Sequence, residues 1–244
     1  MIASPQGFKR VISCLTSHIP KSQVHTSTPI TKISGDSSFY TLHFEDPSAS
    51  KETTFGPFKH IILATPAPIS SKILATMTTP QTKVCEALDT FKFVPSCVIT
   101  HTDSSFIPTT PSLHRDLHFQ RPTTSISPQF AKLQGYIETT HILHFRSPFL
   151  KGVKVYQTTN PHRSPRKDTI LGETWFERYL PSKESLRVRR EVFECANEEK
   201  GMGWGQGKDG VWFVGSWAAD GIPLLEGCVK SAEMVTGKLI SGGK

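Results

Sequence analysis

Two pairs of histidines have spacings that bear on metal binding. His114 and His118 are four residues apart, a spacing with which one face of a helix can bind zinc, but the glutamate of HExxH is absent and the neighbouring residues are rich in proline. His141 and His144 lie in a segment of alternating polarity, so they point to opposite faces if this segment is a strand. We therefore predict no metal site.

Glycine and serine near the C-terminus give two further patterns. The run Gly201–Gly207 is rich in glycine, but the spacing of GxGxxG fails from Gly201 and from Gly203, and a strand is predicted to follow instead of a helix. We interpret this run as a flexible loop. Ser216 lacks the flanking glycines of a GxSxG nucleophile elbow, so no serine nucleophile is recognised.

The end of the chain predicts a strand, a loop and a helix. The apolar residues 211–215 end in glycine and predict a buried strand, and residues 215–224 form a loop with Gly221 and Pro223. A helix is predicted over 225–239, with one face formed by Leu225, Val229, Ala232, Val235 and Leu239. The start of such a helix offers N–H groups to an anion or a carbonyl oxygen.

The N-terminal elements are a predicted helix and a small meander that leads into a buried strand. The spacing of apolar residues predicts an amphipathic helix over 7–19, which Pro20 stops. Strands are predicted over residues 23–30, 39–44 and 55–64, with a polar turn at 46–50. The apolar run Ile61–Ala64 is typical of a strand that is buried on both faces.

The middle of the chain is less regular. Residues 69–90 predict two helical pieces broken near Thr79 and Pro80, and 101–130 a long connection. Further strands are predicted over 91–100, 141–146 and 153–158. Residues 160–205 are polar and poorly periodic, with a helix predicted within 183–196.

Composition excludes several classes of protein. The balance of 28 Lys+Arg against 21 Asp+Glu gives a net charge of +7, but the basic residues are scattered and not interleaved with aromatics, so we expect no nucleic-acid partner. No apolar run approaches the ~20 residues of a membrane span, so we predict no integral membrane segment. No signal peptide is recognised, and five widely spaced cysteines favour a reducing, cytoplasmic location.

Several short motifs occur in an order that resembles a known family. They are His101-Thr102-Asp103 followed by Ile107-Pro108, Thr158-Thr159-Asn160-Pro161, and Gln206-Gly207 before the last strand. Together with the meander and the closing strand, loop and helix, they resemble the C-terminal portion of the FAD-dependent amine-oxidase superfamily. The resemblance is nearest to its branch of NAD/FAD-binding flavoproteins.

This resemblance implies an α/β fold of mixed α+β type. An incomplete Rossmann-like FAD/NAD(P)-binding domain would be joined to a substrate domain built on an antiparallel sheet. The expected divisions are 1–78 for the partial FAD-binding domain, 79–205 for the substrate-domain-like region, and 206–244 for the closing strand, loop and helix.

The resemblance also implies residues that bind FAD. Ile30 matches the residue whose backbone meets the adenine, and Gly215 and Ser216 match the turn beside the pyrophosphate and ribityl chain. Helix residues at 224–226 match the place where an N–H faces the flavin C2 carbonyl, and Gly227 would let this helix pack tightly. The complete expected set is Ile30, Ala64, Thr65, Pro66, Gly215, Ser216, Leu224, Leu225 and Glu226.

Two departures from the family leave alternatives open. The strand, GxGxxG turn and helix that open the family's dinucleotide domain are missing, so we expect this chain alone to bind FAD poorly and an N-terminal half to supply the remainder. Leu224 stands where monoamine oxidases have an aromatic cage wall, so a C–N, C–H or C=C bond of a small substrate could be oxidised.

The catalytic residues remain unknown at this stage. His101 and Asp103 are candidates for a base, or else a hydrogen-bonded pair at a sheet end. The alternative to an oxidoreductase is a non-catalytic remnant or interaction module of the same fold that does not bind FAD alone. No Cys or His stands at a position that we would nominate for covalent flavin attachment.

Overall fold

The computed structural model describes residues 7–46, 51–121, 126–143, 152–193, 203–221 and 223–241. The chain forms two compact units. Unit 1 contains Met1–Val24 and Val94–Arg178, and unit 2 contains His25–Phe93 and Tyr179–Lys244. The predicted division into domains at 79 and 206 stays a prediction.

The elements of both units follow one another in a mixed order. The helices are α1 (Gly7–Leu15), α2 (Ala67–Leu74), α3 (Thr82–Asp89), α4 (Lys183–Val188) and α5 (Leu225–Ser241). The strands are β1 (Ile30–Gly35), β2 (Tyr40–Asp46), β3 (Lys51–Phe58), β4 (Ile61–Leu63), β5 (Lys92–His101), β6 (Leu117–Gln120), β7 (Glu138–Ile142), β8 (Tyr156–Thr159), β9 (Ile170–Leu180) and β10 (Val211–Phe213). Helices, antiparallel sheets and a parallel strand pair confirm the expected mixed α/β class.

Unit 2 is built on the predicted meander and on one parallel pair of strands. The strands β1, β2 and β3 form an antiparallel sheet in that order. β4, the next strand, is not part of this sheet and pairs in parallel with β10. The prediction of a single strand over 55–64 was therefore wrong, because its two halves have different partners. α2 and α3 are the two predicted helical pieces, and they pack on this framework with Leu74, Val84 and Leu88 fully buried.

The core of unit 2 is rich in aromatic rings. Phe91, Phe193, Phe213 and Trp217 contact one another edge to face, with ring centroids 4.9 to 6.4 Å apart. Such arrangements add to the free energy gained by burying the rings themselves. This cluster lies under the ends of β4 and β10, so it gives those ends a rigid support.

Two predictions about burial in unit 2 were wrong. β4 is buried only at alternate positions, because Ile62 is 48% exposed while Ile61 and Leu63 are buried. On α5 the buried positions are Gly227, Ser231 and Val235, so of the predicted face only Val235 is buried, with Leu239 partly buried against it. Leu225 and Val229 are both more than half exposed, because small residues and not the larger apolar ones approach the strands.

Unit 1 is built on a five-stranded sheet with the order β6-β7-β8-β5-β9. β5 was predicted closely, whereas β7 begins earlier than expected and β8 later. We missed β6 and β9. β9 is exposed along most of its length at the sheet edge, so it lacks the alternation that marks a half-buried strand.

The remaining predictions concern the ends of elements and residues outside the described ranges. The predicted strand over 23–30 was wrong, because Lys21–Gln23 form a 3-10 turn and the strand starts only after Pro29, which has no N–H to donate. α4 ends in a π-helical turn, Arg189–Phe193, within the predicted helical range. The turn at 47–50, residues 144–146 and Gly201 lie outside the described residues. No helix in the described part of the chain has the length and apolar character of a membrane span.

Candidate cofactor site

The parallel pair in unit 2 brings two of the expected cofactor segments to the same sheet edge. β4 and β10 run in register, with Ile61 opposite Val211 and Leu63 opposite Phe213. The N–H of Val214 donates to the carbonyl of Leu63 at 3.1 Å, so the pairing continues one residue further. Ala64–Pro66 and Gly215–Ser216 therefore leave the carboxyl ends of two parallel strands, where ligands bind in open α/β sheets.

Trp217 connects these two segments. Its indole N–H donates to the carbonyl oxygen of Thr65 at 3.1 Å, and the side chain is buried. Gly215 has a φ of +146°, and a Cβ there would lie 3.0 Å from Trp217 Nε1. Only glycine fits this turn without strain, because both the backbone conformation and the indole exclude a side chain.

Ser231 and Gly227 fix the start of α5 against the same turn. The N–H of Gly215 donates to Ser231 Oγ at 2.9 Å, and this hydroxyl lies 3.0 Å from the carbonyl of Cys228, to which it donates. A Cβ on Gly227 would lie 3.2 Å from the Cα of Ser216. The small residues of α5 thus bring its first turn against the backbone at Ser216.

The loop between β10 and α5 has a charged anchor within unit 2. Asp220 accepts a hydrogen bond from Arg189, whose side chain is 2% exposed. The Nε of Arg189 has no hydrogen-bond partner in the described part of the chain, so Asp220 is the principal compensation for this buried charge.

Thr65 and Pro66 form the start of α2. The hydroxyls of Thr65 and Ser70 are 2.8 Å apart and hydrogen-bonded, and the carbonyl of Pro66 accepts from the N–H groups of Ile69 and Ser70. The Thr65 side chain is therefore occupied by a contact within the unit, which leaves backbone atoms of this segment as the groups that a cofactor could meet.

The expected site residues form an open surface. Leu224 and Leu225 are 55% and 59% exposed, and Ala64, Pro66 and Glu226 are also exposed. Gly215, Ser216 and Thr65 are partly exposed. The first N–H groups of a helix have no partner inside it, so α5 begins with donors directed at this surface.

Ile30 lies in a different part of unit 2. It is the first residue of β1, pairs with Phe44 and packs partly against the main core. No hydrogen bond between described residues joins Ile30 to the group at the ends of β4 and β10. Its role toward an adenine stays a prediction.

The glycine-rich run before β10 contains a GxGxxG spacing that we missed. Gly205, Gly207 and Gly210 are in this register, but the run enters the amino end of β10 and does not open a helix. Gly207 has a φ of +75°, and a Cβ there would lie 2.7 Å from the Trp212 ring. The described part of this run is a hydrogen-bonded turn, as a loop was predicted here, and it lacks the strand-to-helix geometry of dinucleotide binding. The flexibility of this loop stays a prediction.

Hydrogen bonds of the Gln206 side chain hold this turn against the neighbouring backbone. Its buried amide donates to the carbonyls of Phe193 and Phe213 and accepts from the N–H of Phe213 at 2.7 Å. Asn160 has a similar role in unit 1, where Oδ1 accepts from the Ser96 hydroxyl at 2.9 Å. These two motif residues thus hold strands in place.

His101 and Asp103 are a buried hydrogen-bonded pair at the end of β5. His101 Nδ1 accepts from the N–H of Asp103 at 3.2 Å, and burial lowers the pKa of His101 to about 4. Burial raises the pKa of Asp103, but the N–H groups of Arg166 and Ser105 more than offset this effect and lower it to about 2. This geometry favours the role of a sheet-end pair over that of a base.

The histidines considered for metal binding have other contacts. His114 Nε2 lies 2.8 Å from the carbonyl of Pro108, and His118 Nε2 accepts from the N–H of Arg115. His141 is exposed, and His144 lies outside the described residues. Within the described ranges, no three His, Cys, Asp or Glu side chains are grouped so that they could hold a metal ion.

Comparison with known proteins identifies the family. The sequence model of the flavin containing amine oxidoreductases matches residues 1–140, which is more than half of the 244 residues. The chain therefore belongs to this family of flavin-containing amine oxidoreductases.

One solved structure similar to this chain is a CLA-producing fatty acid isomerase from P. acnes. The sequences are 11% identical and the TM-score is 0.43, with 86% of this chain and 47% of that protein covered. The chain thus spans about half the length of that structure. No curated protein matches the chain.

Proposed function

We propose that this chain supplies the closing part of a FAD site in an oxidoreductase that oxidises a C–N, C–H or C=C bond of a small molecule. The observation that carries this proposal is the meeting of Ala64–Pro66, Gly215–Ser216 and the start of α5 at the carboxyl ends of two parallel strands. Membership of a flavin-containing family supplies the identity of the ligand.

The residues present fit one end of such a site. Gly215 and Gly227 remove the two Cβ atoms that would disturb the contact between the β10 turn and α5, which brings the start of α5 against this turn. Bound FAD supplies a hydride acceptor at N5. The N-terminus of α5 favours the negative charge that reduction places near the flavin C2 carbonyl, because its free N–H groups carry partial positive charge.

We infer that a dinucleotide-binding unit is supplied by other polypeptide, because the GxGxxG spacing of Gly205, Gly207 and Gly210 in the described part of the chain leads into a strand and not into a helix. β4 pairs only with β10 among the described strands, and Ile62, the middle residue of β4, is 48% exposed. An incoming parallel strand would pair with the edge of β4 through its backbone, and the segment that follows it would cover the sheet face on which Ile62 is exposed. We infer that such a unit completes the sheet and the pyrophosphate cradle.

The side chain of Leu224, beside the proposed flavin site, bears on the class of substrate. Leu224 is aliphatic and 55% exposed, so it provides a flat apolar contact without the π-face that attracts a cationic amine. This favours an apolar substrate over selection of amines by an aromatic cage.

A second function is favoured by the exposed apolar side chains of this surface. Ile62, Leu224, Leu225 and Val229 would suit an interaction module that binds another protein without flavin. The two functions differ in whether FAD binds at the start of α5.

A pair of glycine variants tests the proposed site. In the chain completed with a dinucleotide-binding unit of this family, Gly227→Ala should weaken FAD binding about tenfold, because the added Cβ displaces α5 from Ser216. Gly237→Ala is the matched control on the same helix, where a Cβ meets nothing within 4 Å. Equal FAD affinity in both variants, measured by titration of flavin fluorescence, would remove α5 from the site.

A further inference from the structure

One face of the sheet in unit 1 has a continuous chain of buried polar side chains. His101 Nε2 lies 2.8 Å from Thr158 Oγ1, which lies 2.9 Å from Thr140 Oγ1. All three side chains are at most 2% exposed. The last side chain in such a hydrogen-bonded series either has a further protein partner or can form a hydrogen bond to a ligand.

The donor and the acceptor of each hydrogen bond in this series can be assigned. The N–H of Asp103 donates to His101 Nδ1, so the ring proton is on Nε2 and is donated to Thr158. Thr158 then donates to Thr140, since Thr158 is fully buried and has no other acceptor in the described part of the chain. The hydroxyl proton of Thr140 is left over, and Thr140 lines a cavity of about 280 Å³.

Glu138 lines the same cavity, two residues before Thr140 on β7 and therefore on the same face of the sheet. This residue is 2% exposed. Its Oε2 accepts from the N–H of His162 at 2.7 Å. Within the described ranges, no Lys, Arg or His nitrogen lies within 4.0 Å of its carboxylate.

An ionised carboxylate that is buried without a cation is costly, and one backbone N–H offsets only part of that cost. The nearby guanidinium of Arg163 does not provide the missing charge. It lies 4.0 Å from the centre of the Phe106 ring and donates to Ser105. A positive group inside the cavity would pair with Glu138 directly.

We propose that this cavity binds a compact organic cation, an alkylammonium group that has a hydrogen-bond acceptor two or three bonds from the nitrogen. The ammonium pairs with Glu138, and the acceptor receives the proton of Thr140. Phe106, Ile107 and Pro108 line the cavity and contact the carbon atoms of the ligand. The volume is near the lower limit of small-molecule sites, which suits a ligand of a few heavy atoms.

This site differs from the proposed flavin site in every residue. Its lining residues belong to unit 1, whereas the residues expected to meet FAD belong to unit 2. Binding of the cation therefore requires no flavin and can be measured on the chain as it stands.

Ethanolamine is the probe, because it has an ammonium group and a hydroxyl acceptor on two carbons. Titration calorimetry should show saturable binding of ethanolamine, and no binding of 1,2-ethanediol, which has the same size and no charge. Potassium chloride at equal concentration distinguishes an organic ligand from an inorganic cation. Equal heats from ethanolamine and 1,2-ethanediol, or saturation by potassium, would overturn the proposal.

Variants locate the binding. Glu138→Gln keeps an acceptor for the His162 N–H and removes the charge, so ethanolamine should bind at least about tenfold more weakly. Thr139→Val is the matched control, because Thr139 is the neighbouring residue on β7 and faces the other side of the sheet. If Glu138→Gln does not fold, the comparison of ethanolamine with 1,2-ethanediol on the unmodified chain still tests whether the chain binds an organic cation. If Glu138→Gln folds and binds ethanolamine as tightly as the unmodified chain, the proposed site is wrong.

Discussion

At the scale of single residues, buried charge is the most sensitive feature of unit 2. Arg189 is almost fully buried in the turn after α4, and Asp220 in the β10–α5 loop is its ion-pair partner. The pair thus connects the loop beside the expected flavin site to the interior of the unit. Removing one partner of a buried pair leaves the other charge uncompensated.

Asp220→Asn should therefore lower the free energy of unfolding by about 2 to 4 kcal/mol. Asp220 itself is half exposed, which places the effect below that of a fully buried pair. Glu191→Gln is the control, since it removes the exposed Arg187–Glu191 pair on the same segment and should cost at most about 0.5 kcal/mol. Urea unfolding at neutral pH measures both, and equal effects would contradict the assignment.

His101 predicts how stability depends on pH. Its pKa is about 4 in the folded chain against 6.5 as the ordinary value, so between these values the unfolded chain binds more protons. Stability is therefore complete above pH 6.5 and is lost as the pH falls toward 4. Asp103 has a pKa of about 2, so its stabilisation is lost only below its ordinary value of 3.8.

Replacement of His101 by Gln should flatten the upper part of this profile. Urea midpoints measured at about pH 7 and about pH 5 should differ less in His101→Gln than in the unmodified chain. His141→Gln, on an exposed histidine of the same sheet, should keep the full difference. A profile of His101→Gln that matches the unmodified chain would show that another group controls this range.

At the scale of elements, small residues decide how α5 packs. Gly227, Ser231 and Val235 face the strands, and the larger apolar residues Leu225 and Val229 remain exposed. Hydrophobic periodicity predicted the packing of Val235 and Leu239 but not that of Gly227 and Ser231, because it assumes that the largest apolar side chains are those that pack. Close approach of the helix to the Gly215 turn requires small residues there.

The two glycines of α5 should respond oppositely to substitution. Alanine is favoured over glycine in a helix by up to about 1 kcal/mol, and Gly237→Ala should gain most of this stability because its Cβ meets open space. Gly227→Ala should gain nothing or lose stability, because its Cβ would lie 3.2 Å from backbone that cannot easily move. Thermal unfolding measures the difference, and equal gains at both positions would refute the packing described here.

Helices and strands could be predicted where the local pattern of apolar residues agrees with how the element packs in the fold. The helices α2 and α3, the strand β2 and the closing strand and helix follow from apolar spacing and from proline and glycine positions. The helix predicted over 7–19 also forms, but α1 ends at Leu15, before Pro20. β9 was not predictable in this way, since an exposed edge strand needs no alternation. The meeting of Thr65, Gly215 and Gly227 depends on the parallel pairing of two strands about 150 residues apart, which local pattern does not contain.

At the scale of the whole molecule, the parallel sheet of unit 2 has two strands in the described part of the chain. Two parallel strands alone bury little area, and parallel sheets are normally covered on both faces. The exposed Ile62 and the exposed start of α5 lie on this framework and agree with a further segment that completes it. Under the proposed function, the expected FAD residues would form one part of a site that this further segment completes.

Ile62→Lys tests whether a further unit packs against the parallel strands of unit 2. Because Ile62 is 48% exposed, the substitution should change the free energy of unfolding of the chain by no more than about 0.5 kcal/mol. It should strongly weaken association with a dinucleotide-binding unit, since lysine would be buried where that unit covers this face of β4. Lys32→Ile, on an exposed residue of the meander, is a control for surface change. Unimpaired association of Ile62→Lys in gel filtration would place the contact elsewhere.

The most direct test of the central claim is FAD binding by the purified chain, alone and with a dinucleotide-binding unit of this family. We predict weak or no retention of flavin absorbance by the chain alone and stable retention after the unit is added, because each part supplies different contacts to one cofactor. A folded chain that acquires no flavin in the presence of a unit with which it associates would contradict the account.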